Sequence, residues 1–328
     1  MGEQVVVPLI ESVLASALMS KYATASAALV AVVAIALGAL WLLLSEGDDD
    51  VVGSFVQHLD PKYFVAPHIR DSKSRENADA VDLSVVIPAF NEKERISIML
   101  DEALGFLKKQ KGSYEVILVD DGSGDTTAKL VLDKYADEKV NVVRLKKNMG
   151  KGFAVKVGML SAVGKRRLMV DADGATKFSD LAGLQEKIDS NKYQIAFGSR
   201  HHLSSDASVK RAWYRNVFMW GLHLLVRILI TSNGQPIQDT QCGFKLFTED
   251  AAEKLFGSLH IRRWAFDLEL VVLAQRYSLS IAEVPVNWHE VAGSKLSLIP
   301  ATLSMLKDMV RIRLSYLTGV WTTASIKG

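Results

Sequence analysis

Residues 83–121, LSVVIPAFNEKERISIMLDEALGFLKKQKGSYEVILVDD, contain the pattern that decides the fold. Two short β-branched runs, Leu83–Pro88 and Glu115–Val119, flank a stretch from Glu92 to Gln110 that is predicted to be helical. The pattern continues with strands predicted at Val140–Leu145, Arg167–Val170 and Tyr193–Phe197 and a helix predicted at Thr126–Asp137. Strands that alternate with helices form right-handed βαβ units around a mainly parallel sheet. The sequence therefore predicts an α/β domain, which we place at residues 81–328.

The composition limits the class of protein. The chain has 328 residues, and its 39 lysines and arginines against 37 acidic residues give a formal charge of +2. A hydrophobic fraction of 49% excludes a disordered or collagen-like chain, and the charge excludes a polybasic binder, so no nucleic acid is expected as a partner. The one cysteine, Cys242, excludes an internal disulfide framework and has no dyad partner for nucleophilic catalysis. A reducing compartment is indicated.

A membrane anchor is predicted near the N-terminus. Residues 23–44, ATASAALVAVVAIALGALWLLL, form an uncharged run of 22 residues, which would be about 33 Å long as a helix. That length spans a hydrocarbon core of about 30 Å. The alternatives are a cleaved signal peptide, which begins earlier, and a buried soluble helix, which would have a polar face. Residues 1–22 are then a short N-terminal segment and residues 45–80 a connector.

Polar motifs follow four of the predicted strands. They are Pro88–Glu92 (PAFNE), Asp120–Asp125 (DDGSGD), Asn148–Gly152 (NMGKG) and Asp171–Gly174 (DADG). Ligands of parallel sheets bind beyond the carboxyl ends of the strands, so these motifs are expected to form one cleft. The glycines around Lys151 allow backbone and cation to approach a phosphate, and the Asp-x-Asp carboxylates suit Mg²⁺ or Mn²⁺. Together the motifs predict a nucleotide–metal site.

Each motif taken alone also has a plain structural interpretation. Asp120–Asp125 could be a capped turn, Asn148–Gly152 an ordinary turn, and Asp-x-Asp occurs in many loops. Asn91 is predicted to cap the helix that follows it. The glycine pattern of a dinucleotide site is missing after the first strand, which disfavours a nicotinamide oxidoreductase, and no P-loop is present. The histidines lack the spacing of metal ligands.

The motifs together resemble a known enzyme family. SVVIPAFNE, ILVDDGSGDTT, NMGKGFAVKVGM, DADG and FGSR are similar to family 2 glycosyltransferases, which have the Rossmann-like GT-A fold with a mainly parallel mixed sheet. IQDTQCGFKLF, RRWAFDLELV and EVPVNWHEVAGSKLS resemble, more specifically, the eukaryotic dolichyl-phosphate β-glucosyltransferases. The resemblance covers roughly residues 83–320 and includes the single anchor.

The resemblance implies transfer of glucose from UDP-glucose to dolichyl phosphate at the cytosolic face of the endoplasmic reticulum. It assigns uridine binding to Pro88, Phe90, Glu92 and Asp121. It assigns the metal and diphosphate to Asp171 and Asp173, beside which the glycine–lysine motif adds Lys151. It places Arg200 near the reacting phosphate, and for the lipid phosphate it suggests Arg211, Arg215 and Lys295.

Two features distinguish the chain from related families. The mannosyl enzymes carry a glutamine two residues beyond Asp-x-Asp, where this chain has Ala175, so the third metal ligand is undefined and the glucosyl branch is favoured. The alternative is transfer from GDP-mannose, as in dolichyl-phosphate mannose synthases. Processive polysaccharide synthases carry Gln-x-x-Arg-Trp, and here His260 stands in the position of the glutamine.

A phosphate acceptor has little need of a base. Its second pKa lies near 6, so the acceptor is mostly dianionic at pH 7, and in-line displacement of UDP would give the β-anomer. Cationic groups help two anions to approach, which gives Arg200 a catalytic role. The resemblance suggests Asp239 and Asp267 as base positions, and their alternative role is to orient hydrogen bonds.

Contact with the lipid bilayer is expected beyond the anchor. Residues 213–230 and 298–317 are predicted to be interfacial amphipathic helices, although the first could be a core helix. In the second, Lys307, Arg311 and Arg313 could meet anionic headgroups. Nucleotide sugars are made in the cytosol, so the catalytic domain is expected there, whereas Lys21 weakly favours the reverse orientation. An inactive membrane scaffold is disfavoured by the intact Asp171 and Asp173.

Overall fold

The β-branched runs assemble into one mixed sheet. The computed structural model describes residues 64–67, 81–202, 237–291 and 298–323, and of 64–67 and 298–303 it describes the backbone alone. The chain divides into two units, Met1–Asp48 and Asp49–Gly328, and every described residue belongs to the second. The predicted anchor at residues 23–44 therefore lies outside the described residues.

Eight strands form the sheet in the described ranges. They are β1 (Phe64–Pro67), β2 (Leu83–Ala89), β3 (Tyr114–Asp120), β4 (Val140–Leu145), β5 (Arg166–Val170), β6 (Ile195–Ser199), β7 (Phe244–Thr248) and β8 (Ile281–Pro285). Their order is β1-β4-β3-β2-β5-β7-β6-β8. Strands β4, β3, β2 and β5 are parallel, whereas β7 is antiparallel to β5 and β6. All five predicted strands are confirmed, and the mixed sheet agrees with a GT-A-like fold.

Seven α-helices connect and cover the strands within the same ranges. They are α1 (Ile96–Leu107), α2 (Thr127–Lys134), α3 (Lys151–Ser161), α4 (Leu181–Asp189), α5 (Glu249–Ser258), α6 (Phe266–Arg276) and α7 (Leu298–Thr318). The prediction that Asn91 caps the first helix was wrong, because α1 begins only at Ile96 with Arg95 as its N-cap. Asn91 has a φ of +56°, and its side chain instead accepts hydrogen bonds from the amides of Gly124 and Asp125.

The sheet is buried on both faces. Along β2, Val86 packs into one core cluster while Val85 and Ile87 pack into the other, as alternation along a strand requires. The first cluster contains side chains of α3, α5, α6 and α7, and the second contains side chains of α1, α2 and α4. Three layers result, and the carboxyl ends of the parallel strands meet at one edge of the central layer.

Helix α7 confirms the helix predicted at residues 298–317. Met309, Ile312 and Tyr316 on this helix pack into the core. Lys307 and Arg313 are exposed, but the prediction that Arg311 faces headgroups was wrong, because its guanidinium is buried 5.2 Å from the ring centre of Trp321. In the ranges that the structure describes, no helix combines the length and the apolar character that a membrane span requires.

Candidate active site

The edge where β2, β3 and β5 end carries the predicted motifs. Asp121 directly follows β3, Asp171 directly follows β5, and Lys151 is the first residue of α3. The ammonium of Lys151 lies 2.6 Å from Oδ1 of Asp171, which joins two of the motifs in one ion pair. Burial lowers the pKa of Lys151, but the carboxylates of Asp171 and Asp267 outweigh burial and raise it, so the side chain is a cation.

Asp121 organises the loop in front of α3. Its two carboxylate oxygens accept hydrogen bonds from the amides of Met149 (2.7 Å) and Gly150 (2.9 Å). Its neighbour Asp120 is fully buried and pairs with Arg144 at 3.2 Å. Burial raises the pKa of Asp121 to about 6, against the opposing effect of the two amides. The structure therefore places this carboxyl, predicted to bind uridine, where it also fixes the loop that precedes Lys151.

The glycines of the loop allow another stretch of backbone to pack closely against it. Gly150 has a φ of +102°, and a Cβ on it would lie 2.5 Å from the carbonyl oxygen of Arg262. A Cβ on Gly152 would lie 2.6 Å from the carbonyl oxygen of Ile261. The chain's own backbone at residues 261–262 therefore occupies the space beside both glycines, and the approach of this loop to a phosphate stays a prediction.

Asp171 and Asp173 supply two carboxylates at the end of β5. Asp173 accepts a hydrogen bond from the amide of Ala175 at 3.0 Å, which closes the tight turn of DADG. Gly243, just before β7, packs directly on Asp171, and a Cβ there would lie 2.0 Å from Oδ2. Among the described residues no group of three or more histidine, cysteine or acidic side chains could hold a metal. The pair fits a divalent ion that takes its other ligands from a diphosphate and water.

Arg200 and Asp239 form a two-pronged pair. Nε and Nη2 of Arg200 donate to the two oxygens of Asp239 at 2.7 and 2.9 Å, and the backbone amide of Arg200 donates to the same carboxylate. Burial opposes ionisation of Asp239, but Arg200 outweighs it and lowers the pKa of this carboxyl. Trp288 lies under the guanidinium, 5.4 Å from it. With its pKa lowered and its oxygens engaged, Asp239 is suited to orient Arg200 rather than to take a proton.

Sequence reasoning missed Lys245, which lies inside β7 and is fully buried. Its ammonium lies 2.5 Å from Asp267 on α6, also donates to the carbonyl oxygen of Cys242, and sits over the ring of Phe197. Burial raises the pKa of Asp267, although Lys245 acts against burial. Burial likewise raises the pKa of the Cys242 thiol to about 11, which agrees with the expectation that it is no nucleophile. The signal available was a lysine inside an otherwise apolar strand.

The remaining predicted residues lie either near the end of β2 or outside the described ranges. Pro88 is buried within β2, and Phe90 is exposed just beyond it. Glu92 pairs with Arg95 through two contacts of 2.6 Å, so its carboxylate helps to fix the start of α1. The candidates for the acceptor phosphate lie outside the described residues, namely Arg211, Arg215 and Lys295, as does the predicted helix at residues 213–230.

The family model for glycosyl transferase family 2 matches residues 84–256. Curated relatives are similar over most of their length. A dolichyl-phosphate beta-glucosyltransferase of Dictyostelium discoideum is 48% identical over 76% of this chain and 80% of the relative. Those of Homo sapiens and Saccharomyces cerevisiae are 44% and 42% identical, over 81% and 75% of this chain and 86% and 78% of the relatives.

Solved structures share the fold. The glucosyl-3-phosphoglycerate synthase of Mycobacterium tuberculosis in complex with UDP superposes with a TM-score of 0.51 at 18% identity, over 76% of this chain and 85% of that chain. The same enzyme in complex with Mn²⁺, UDP and phosphoglyceric acid gives a TM-score of 0.51 at 17% identity, over 76% and 83%. At these identities the likeness is one of fold.

Proposed function

Because the chain belongs to glycosyltransferase family 2 and, within it, to the dolichyl-phosphate β-glucosyltransferases, we propose that it transfers glucose from UDP-glucose to dolichyl phosphate with inversion. The observation that carries the donor half of this proposal is the set of charges at the carboxyl end of β5. There Lys151 pairs with Asp171, and Asp173 follows one turn residue later. Such a set binds the diphosphate of a nucleotide sugar through a cation and a metal.

Two cationic side chains at this edge are assigned to different phosphates, one of the donor and one of the acceptor. Lys151 offers a tethered cation to the diphosphate, and Asp121 holds the loop that positions it. Arg200, oriented by Asp239, offers a planar cation to a second phosphate, that of the acceptor. The hydrogen bonds to Asp239 raise the pKa of Arg200 against the opposing effect of burial, so its guanidinium is a cation. An anionic acceptor can then approach an anionic donor.

We assign Asp171 and Asp173 to a divalent cation, Mg²⁺ or Mn²⁺. When bound, such an ion neutralises the negative charge that develops on the departing diphosphate. The carboxylate pair supplies two hard oxygen ligands, which agrees with ions that keep water and substrate phosphates in their coordination. Asp267, which lies beside Lys245, is the remaining candidate for a carboxyl that handles a proton.

The proposal predicts that Asp173→Asn abolishes metal-dependent glucose transfer while the protein remains folded. Asp189→Asn is the matched control, because Asp189 pairs with Arg166 at the start of β5, the opposite end of the same strand. Each variant should be assayed with UDP-glucose and, in parallel, GDP-mannose, using dolichyl phosphate and added Mn²⁺ or Mg²⁺. The product should be the β-anomer from UDP-glucose, and full activity after exhaustive chelation would contradict the assignment.

We also propose that the chain is held at the endoplasmic reticulum membrane by residues 23–44, with its catalytic domain in the cytosol. Supporting this are the length and apolar character of that run and the lipid nature of the proposed acceptor. A tag at the N-terminus should be protected from protease in sealed microsomes. A chain lacking residues 1–45 should still bind anionic vesicles at low salt through the proposed amphipathic helices, and complete release at low salt would exclude that contribution.

A further inference from the structure

A short segment, residues 259–264, lies between the C-terminal part of the chain and the donor edge. Glu269 on α6, which is fully buried, accepts the amides of His260 (3.1 Å) and Ile261 (2.6 Å) and contacts the imidazole of His260 at 3.0 Å. Tyr316 on α7 donates its hydroxyl to the same carboxylate at 2.9 Å. The amide side of segment 259–264 is thus fixed by α6 and α7.

The carbonyl side of the segment is fixed by α3. Nζ of Lys156 donates to the carbonyl oxygen of Leu259 at 2.7 Å, and the amide of Phe153 donates to that of Arg262 at 2.9 Å. Gly150 and Gly152 leave no space between this backbone and the start of α3. A shift of segment 259–264 must therefore move the residue between these glycines, which is Lys151.

Trp321 makes a further contact with segment 259–264, on the side away from the site. It is 3% exposed, and its ring stacks on His260 with the centroids 4.3 Å apart and the planes 4° from parallel. Tyr316 packs edge-on against it and Arg311 lies 5.2 Å over it, which fixes the ring in place. The indole thus holds the imidazole that Glu269 also contacts.

We propose that Trp321 is a positioning residue for the donor site, acting through His260 and segment 259–264 on Lys151. The inference rests on the proposed function, because it assumes that Lys151 contacts the donor. Trp321 has no contact with the charged edge itself among those described, so its effect is indirect. A misplacement of about 1 Å can cost about 10²-fold in reaction rate, so a small shift of Lys151 would be measurable.

The test compares variants in the full chain by calorimetric binding of UDP with Mn²⁺ and by transfer kinetics. Trp321→Ala should weaken UDP binding by about tenfold or more and raise KM for UDP-glucose, with KM for dolichyl phosphate unchanged. Trp321→Phe, which keeps a ring for the stack, should bind UDP within about threefold of the wild type. Trp321→Leu keeps apolar volume without an aromatic ring, so it should also weaken UDP binding. It replaces Trp321→Ala in the comparison if the alanine variant does not fold.

Phe256→Ala is the matched control, because Phe256 is a fully buried aromatic of the same core that stacks edge-on with Phe247. It should lower thermal stability but leave the affinity for UDP unchanged. Equal loss of UDP affinity in Phe256→Ala and Trp321→Leu, or wild-type affinity in Trp321→Leu, would overturn the inference and leave the proposed function standing. A wild-type chain that binds no UDP would overturn both.

Discussion

The protonation state of Asp121 determines how many backbone amides can donate hydrogen bonds to its carboxyl group. The ionised group accepts from both Met149 and Gly150, whereas the protonated group keeps one full acceptor oxygen and turns the other into a donor. Because burial raises the pKa of this carboxyl to about 6, the change falls within a range in which activity can be measured. Protonation should release part of the loop that carries Lys151.

We therefore expect kcat/KM for UDP-glucose to fall as pH decreases through about 6. The acceptor phosphate titrates in the same range. A plot of log kcat/KM against pH should therefore have a slope of about two below pH 6 for the wild type and of about one for Asp121→Asn. The folded pKa lies above the unfolded value of 3.8, so folding favours the proton, and this group stabilises the fold as pH falls from about 6 to 4. Unfolding measured at each pH separates the two effects, and an unchanged slope in Asp121→Asn would contradict the assignment.

Arg200 illustrates geometry that a point charge cannot reproduce. Its guanidinium uses Nε and Nη2 on Asp239, so replacement by lysine leaves at most one of these contacts and no planar donor. Arg200→Lys should lower kcat/KM by about tenfold or more. Arg166→Lys is the control, since Arg166 pairs with Asp189 away from the site, and it should stay within about twofold. An equal decrease of kcat/KM in the two variants would contradict a catalytic role for the planar guanidinium of Arg200.

The antiparallel strand β7 explains what the sequence could and could not predict about the site. In the parallel strands β3 and β5 the polar residues follow the strand, and Asp121 and Asp171 were predicted from that rule. Strand β7 runs the other way, with Phe244 opposite Val170, so residues that precede it reach the same edge. Gly243 therefore escaped notice. The close packing of residues 261–262 on Gly150 has no sequence pattern, so this contact could not be predicted.

Gly243→Ala tests this use of β7. The added Cβ would lie 2.0 Å from Oδ2 of Asp171, so the carboxylate or the strand has to move. We expect transfer activity to fall at least about tenfold, together with weaker activation by the divalent ion. Gly257→Ala on α5 meets no atom within 4 Å and should leave activity unchanged while stabilising the helix by about 0.5–1 kcal/mol. Titration of activity with Mn²⁺ in both variants provides the measurement.

For the molecule as a whole, Lys245 and Asp267 join the sheet to its helical layer. The two charges are buried, one on β7 and one on α6, and their contact of 2.5 Å replaces the water that each has lost. Removing one partner leaves the other charge unpaired in the core. This lowers the stability more than replacing both residues with apolar ones. The pair therefore connects two layers of the fold, and the charge of Asp267 also raises the pKa of Lys151.

Lys245→Met should lower the free energy of unfolding by about 3–5 kcal/mol, because Asp267 is left buried without its partner. The double variant Lys245→Met/Asp267→Leu should recover most of that loss, since both charges are then gone. Denaturant unfolding of the three proteins measures this difference. Glucose transfer should remain impaired in the double variant if Asp267 handles a proton, and recovery of both stability and transfer would reduce the pair to a purely structural role.

The contact between Lys151 and Asp171 has a consequence for how the site fills and empties. Asp171 at the end of β5 already has a tethered counter-ion, the ammonium of Lys151. If Asp171 holds the proposed divalent ion, that ion would compete with the ammonium for the carboxylate, and the displaced ammonium would be available to the diphosphate. Once the product had left, the ammonium would pair with Asp171 again, so positive charges would exchange at one aspartate in each turnover.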